Sequence, residues 1–240
     1  SLQSALNALN GVTAMSGPIV LTCAPGSETA PATGLTIGSG SLNTVLNAAV
    51  SNMITINTSG AVTINAGVGT SNGPTATPDG MFYLNGADYV TIDGLTFTDG
   101  NSASATVAME FGLAMFKRNA GDGCNNNTVQ NCIFNMQRIN NSSGSGPMVE
   151  GSVGINVVNS IPTAATTALT PTNGGTLATN GTNSNNKFYS NTINGGNYGI
   201  ALSGFAASVG RGPNPDSATF LGDIGNDVGG TSNAMRSEEH

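Results

Sequence analysis

Few residues of this chain can do acid–base or metal chemistry. Asp88, Asp93 and Asp99 lie close together, Glu110 and Asp122 follow, and Lys117-Arg118 is the one adjacent pair of cations. Cleaving a glycosidic bond needs two carboxylates converging on one face, about 5–10 Å apart. Asp93 and Asp99 flank one extended segment, six residues apart, which is roughly 20 Å along a strand. They can share a cation only across a turn, and so are weak Ca²⁺ candidates. Asp93-Gly94 reads first as a corner, where Asp bonds the backbone. Asp88 and Asp122 precede equivalent strands, which makes them the best carboxylate pair. Lys117-Arg118 interrupt an apolar strand. Together they could face a groove and meet an acidic sugar; alternation instead sends one side chain to the surface to snorkel.

Several chemistries are excluded outright. His240 is the single histidine and belongs to a charged terminal run, Arg236–His240, so histidine acid–base chemistry has no member in the body of the chain. Cys23, Cys124 and Cys132 are odd in number and contain no CxxC spacing, which argues against zinc. Cys124 and Cys132 are eight residues apart. A disulfide needs their Cα atoms within about 7 Å, which requires Asn125-Asn126-Asn127 to reverse the chain; otherwise Cys132 is a buried thiol acting as a small hydrophobe. A net charge of −7 and six scattered cations argue against nucleic acid, whose phosphates need clustered Lys and Arg. No apolar run approaches the roughly 20 residues of a membrane span.

The elements that must position these groups are extended and repeated. Tyr89–Phe97, Asn127–Phe134 and Asn186–Ile193 carry one pattern, read as Ile92/Leu95/Phe97, Val129/Cys132/Phe134 and Phe188/Asn191/Ile193. A second strand precedes each copy: Met81–Gly86, Ala114–Asn119 and Gly154–Asn159, with Tyr198–Gly204 opening another turn. The aligned copies are 37 and then 59 residues apart, a variation that loops can absorb but a packed coil cannot. Same-sense repetition stacks strand on strand in parallel, whereas a sandwich needs mirrored hairpins. Pro18–Cys23, Gly34–Gly38, Met53–Asn57 and Ala61–Asn65 are further strands by alternation and β-branching. An inward Asn191 has an amide that can bond along the stack or to a corner carbonyl; as a turn residue it faces solvent instead. Leu2, Leu6 and Leu9 fall on one face of a helix capped by Ser1 and ended by Gly11, a lid for the apolar end of a stack. Thr55, Thr63 and Thr91 are spaced by 8 and 28 residues, which does not repeat a coil and speaks against a flat threonine ladder for ice or crystal binding.

The expected fold is all-β, a right-handed parallel β-helix with a short N-terminal capping helix. One domain is expected over residues 1–235, with the capping helix at 1–10, a long loop excursion at 160–185 and a terminal tail at 236–240.

The entry helix, the Ile19-Val-Leu strand with Pro25-Gly26, and above all Leu84-Asn-Gly-Ala-Asp-Tyr-Val-Thr-Ile-Asp-Gly94 resemble the pectin-lyase-like β-helix superfamily. The latter segment is similar to coils of large bacterial surface proteins exported by a type IX system. The resemblance implies a secreted, cell-surface module of a larger parent protein with a sorting domain elsewhere. Lyases of the superfamily hold Ca²⁺ with carboxylates against an acidic substrate and use Lys or Arg as base. Carried over, that chemistry falls on Asp88, Asp93 or Asp122 with Lys117 or Arg118. The adjacent Asp-Asp and Gly-His signatures of its hydrolases are missing. The leading expectation is therefore a non-catalytic, adhesin-like module without a cofactor, binding polysaccharide or host glycans through its loops. A polysaccharide lyase or glycoside hydrolase is the alternative.

Overall fold

The computed structural model describes residues 1–70, 79–104, 106–139, 151–165, 167–172, 180–204 and 222–229. The expected tail at 236–240 lies outside them, as does part of the 160–185 excursion. After helix α1 (Leu2–Asn10) the chain runs through repeated triplets of strands. These are β1 (Ile19–Cys23), β2 (Gly26–Thr29) and β3 (Leu35–Ile37); then, past helix α2 (Gly40–Leu46), β4 (Ile54–Thr58), β5 (Val62–Asn65) and β6 (Gly80–Asn85). They continue as β7 (Val90–Asp93), β8 (Thr96–Thr98) and β9 (Phe111–Phe116); β10 (Thr128–Gln130), β11 (Ile133–Met136) and β12 (Val153–Val158); β13 (Lys187–Tyr189), β14 (Thr192–Gly195) and β15 (Tyr198–Ser203); and finally β16 (Asp227–Gly229).

Every strand pairs in parallel with the strand three places away. The first sheet is β1-β4-β7-β10-β13-β16, the second β14-β11-β8-β5-β2, the third β15-β12-β9-β6-β3. The chain thus visits three parallel sheets in rotation, the connectivity of a parallel β-helix. The register stacks like on like. Leu21, Ile56, Ile92, Val129 and Phe188 form one inward column. Ile64, Phe97, Phe134 and Ile193 form another, in which the Phe97 and Phe134 rings stack 4.9 Å apart. Ile37, Leu84, Met115 and Val157 line the third sheet. These residues belong to one continuous apolar cluster, whose burial offsets the ordering of a loop-rich chain.

The predicted repeat is the observed one. Ile133 pairs with Thr96 below and Thr192 above, so Leu95, Cys132 and Asn191 share a column. Asn191 accepts from the Cys132 N–H at 3.0 Å and donates to the Val129 carbonyl at 2.8 Å, the corner role open to it from sequence. Helix α1 buries Leu2, Leu6 and Leu9 and packs against β3 and α2, as expected of a lid.

Two elements differ from expectation. Strand β2, which begins at Gly26 just past the end of β1 at Cys23, was not among the expected strands. Helix α2 was unforeseen, although Ser39 caps it through Leu42 N–H and Leu42, Val45 and Leu46 are buried on one face. The threonine arithmetic is also corrected. Thr55 and Thr91 are neighbours on the first sheet, continued by Thr128, while Thr63 pairs with Thr96 on the second. The intervals of 8 and 28 compared residues on different faces.

Candidate functional site

The polar groups concentrate at the corner between the third sheet and the first. Here the chain must leave one coil and enter the next while its backbone N–H and C=O groups turn away from the ladder. Buried backbone groups need partners, and side-chain amides supply them. Asn127 accepts from the Val90 N–H at 2.9 Å and donates to the Ala87 carbonyl at 2.9 Å. Asn186 accepts from the Asn127 N–H at 3.1 Å and donates to the Cys124 carbonyl at 2.9 Å. Asn226 accepts from the Asn186 N–H at 2.9 Å and donates to the Asn183 carbonyl at 2.8 Å. Each asparagine thus ties its own coil to the coil below. The residues just before this column, Tyr89, Asn126, Asn185 and Gly225, all have left-handed backbones with φ of 54°, 59°, 59° and 69°, a conformation Asn and Gly tolerate.

Asp88 occupies a parallel column with Asn125 and Ser184. Its Oδ1 accepts from the Asn125 N–H at 2.5 Å, Asn125 Oδ1 accepts from the Ser184 N–H at 3.1 Å, and Ser184 Oγ accepts from the Ile224 N–H at 3.1 Å. Asp88 is buried and its Oδ2 has no hydrogen-bond partner. Burial pushes its carboxyl up to about 8, the Asn125 N–H opposes the rise, and the charge of Asp122 adds to it. The charge of Asp122 thus bears on Asp88 without a hydrogen bond joining the two. Asp122 is itself committed: Asn43 donates to it at 3.1 Å and Arg118 at 2.5 Å. Burial raises its carboxyl against those two partners. Asn43, from the unforeseen α2, also donates to the Gly86 carbonyl at 2.8 Å.

Lys117 and Arg118 do not share a groove. Alternation splits them, as snorkelling requires: Arg118 is exposed beside Asp122, whereas Lys117 is wholly buried, donating to the Gly181 carbonyl and lying 3.8 Å from Asp223. Asp93 and Asp99 serve different corners. Asp93 ends β7 and accepts from Gln130 at 2.8 Å and Asn131 at 2.7 Å on the next coil. Asp99 is buried past β8, accepting from the Asn101 N–H at 3.0 Å and the Met109 N–H at 2.8 Å. Both carboxylates are met by N–H donors, the partners of a corner. Among the described residues no three of His, Cys, Asp and Glu gather to hold a metal ion, and no helix is long and apolar enough to cross a membrane.

One carboxylate pair was not singled out from sequence. Asp79 and Glu110 precede the paired residues Gly80 and Phe111, and so stand one above the other at the corner between the second and third sheets. Glu110 accepts from the Asp79 N–H at 2.6 Å, and Asp79 accepts from the Thr70 N–H and hydroxyl. Both are buried. Only the coil register could reveal them, since 31 residues separate the two. At the capped end, Glu28 points along the inward column and accepts from the Leu2 N–H at 2.6 Å and the Gln3 N–H at 3.0 Å. Burial lifts its carboxyl, but these N–H groups hold it below the usual range, as a helix N-terminus does for an anion. A cleft of about 470 Å³ lies beside it, lined by Leu2, Cys23 and Ile64. All three cysteines are free thiols, so Asn125–Asn127 turn the corner without a bridge; burial pushes Cys132 up to about 11 and Cys124 higher still.

No protein-family model matches this chain, and no curated protein or solved structure matches it.

Proposed function

We propose that this chain is a non-catalytic module displayed outside a bacterial cell, adhesin-like, built as a right-handed β-helix of the pectin-lyase-like kind. Right-handedness follows from the strong preference of parallel crossover connections for that hand. The observation that carries the reading is the fate of the carboxylates. All nine among the described residues accept a hydrogen bond from this chain's own donors: Glu28, Asp79, Asp88, Asp93, Asp99 and Glu110 as above, and Asp122 from Asn43. Asp223 accepts from the Asn183 N–H and Asp227 from the Tyr189 hydroxyl. They hold corners and helix ends together, whereas a hydrolase or lyase needs carboxylates free to meet substrate.

The glycan-contacting part of the proposal rests on the outer face of the second sheet. Its outward columns are Ser27, Thr63, Thr96, Ile133, Thr192 and Thr29, Asn65, Thr98, Asn135, Asn194. None of these ten residues is ionisable, and their hydroxyls and amides match the hydroxyls of a neutral glycan.

Incubation with acidic and neutral polysaccharides, with and without Ca²⁺, tests the reading. The expected result is retention on neutral glycans with no new reducing ends and no unsaturated product. Product release that survives purification and disappears in Asp88→Asn or Asp122→Asn would overturn it in favour of the lyase or hydrolase alternative.

A further inference from the structure

Lys117 and Asp223 are the one described pair of opposite charges in which both side chains are withdrawn from water, 0% and 7% exposed. Lys117 follows β9 at the corner leaving the third coil, and Asp223 stands in the corner before β16, 106 residues later. We propose that their side chains condense into an intramolecular isopeptide bond, a covalent strap across the stacked corners.

The geometry supplies each part of that reaction. Nζ of Lys117 lies 3.8 Å from Oδ1 of Asp223, which sets the amine beside the carboxyl group whose Cγ it would attack. Oδ1 also accepts from the Asn183 N–H at 2.8 Å, which polarises the carboxyl carbon. Oδ2 is buried and has no hydrogen-bond partner, the position of a leaving hydroxyl. Burial favours the uncharged form of each group: it lowers the lysine ammonium against the pull of Asp223, and raises the Asp223 carboxyl against Lys117 and the Asn183 N–H. A neutral amine is the nucleophile such a step needs.

In the reaction the Nζ lone pair attacks Cγ, the Nζ–Cγ bond forms and the Cγ–Oδ2 bond breaks. One proton from Nζ joins the Oδ2 hydroxyl, and a single water leaves. Nothing is oxidised or reduced. The product also answers the polar accounting of the site. The amide N–H can still donate to the Gly181 carbonyl, now held by Lys117, and the amide oxygen still accepts from Asn183. The unpartnered Oδ2 departs as water, and two buried charges, costly to keep, become one neutral amide.

Mass spectrometry of the full chain, purified and fully denatured, decides the matter. The expected intact mass is one water below that of the sequence, and proteolysis should yield the Lys117 fragment joined to the Asp223 fragment. Lys117→Arg and Asp223→Ala should each show the full mass of their own sequence. Asp223→Asn should form the same link with loss of ammonia. A wild-type chain at full sequence mass, with the two fragments separate, would overturn the proposal and leave an ion pair only. That result needs no variant to fold, and it leaves the glycan-binding proposal untouched.

Discussion

Replacing Asn186 by alanine should damage the stack far more than its single side chain suggests. Asn186 is fully buried. Its Oδ1 accepts from the Asn127 N–H and from Asn127 Nδ2, and its Nδ2 donates to the Cys124 carbonyl and to Asn226. In the variant, Asn127 Nδ2 keeps the Ala87 carbonyl and Asn226 Oδ1 keeps the residue-186 N–H. The Asn127 N–H and the Cys124 carbonyl lose the one partner each has, the Asn186 amide, at a fully buried corner. An orphaned buried backbone group costs about 1–3 kcal/mol, so two cost roughly 2–6 kcal/mol. That is a large part of the ~5–15 kcal/mol that holds a domain folded. Asn194→Ala is the control. Asn194 is exposed and its amide donates to Asn135 at 2.9 Å on the outer face, where water substitutes, so its cost should stay within about 0.5 kcal/mol. Urea unfolding of the three proteins, followed by far-ultraviolet circular dichroism, reads the difference in midpoint. Equal midpoints for Asn186→Ala and Asn194→Ala would refute the corner-ladder reasoning.

Four more outcomes follow. Asp88, whose carboxyl is raised to about 8, is protonated more readily in the folded chain than in the unfolded one. Its favourable contribution is complete below the ordinary carboxylate pKa near 4 and is lost as pH rises through about 8; Asp88→Asn should therefore flatten that decline in melting temperature and stabilise the protein most at alkaline pH. Gly38 has φ of 126°, and an added Cβ would meet the Asn85 carbonyl oxygen at 2.1 Å, so Gly38→Ala should cost more than about 2 kcal/mol in thermal unfolding. Asn126→Gly, at a left-handed position, should cost under about 1 kcal/mol. Cys124 and Cys132, buried with raised thiols, should resist iodoacetamide at neutral pH in the native protein and react once it is unfolded; prompt native labelling of either would contradict the packing.

The stack was legible because its rungs carry their own signature. Ile92, Val129 and Phe188 recur with the same neighbours, and alternation identified both the inward set and the buried fate of Cys132. Helix α2 was legible too, through Ser39 and the Leu42/Val45/Leu46 stripe, but the surrounding β-pattern masked a seven-residue segment. The corner between the third sheet and the first was not legible. Asn127 and Asn186 stood at the head of each repeat, yet what they bond depends on which coil lies below, and spacings of 37 and 59 residues hide that. The meeting of Asp79 with Glu110, and of Lys117 with Asp223, likewise depends on counting coils across loops of unequal length. Among the sequence candidates, Asp122 adds to the rise of the Asp88 carboxyl, while Asp93 and Asp99 were drawn to separate corners by nearby N–H donors.

Cysteine cross-linking tests the stacked register most directly. Thr63 and Thr96 are lateral partners on the outer face of the second sheet, whereas Thr91 lies on the first. With Cys23 replaced by serine, Thr63→Cys/Thr96→Cys should close a disulfide on mild oxidation, since adjacent strands stand about 4.8 Å apart and a bridge needs Cα atoms within about 7 Å. Thr63→Cys/Thr91→Cys should not. Cross-linking of the second pair with failure of the first would contradict the coil register on which the whole account rests.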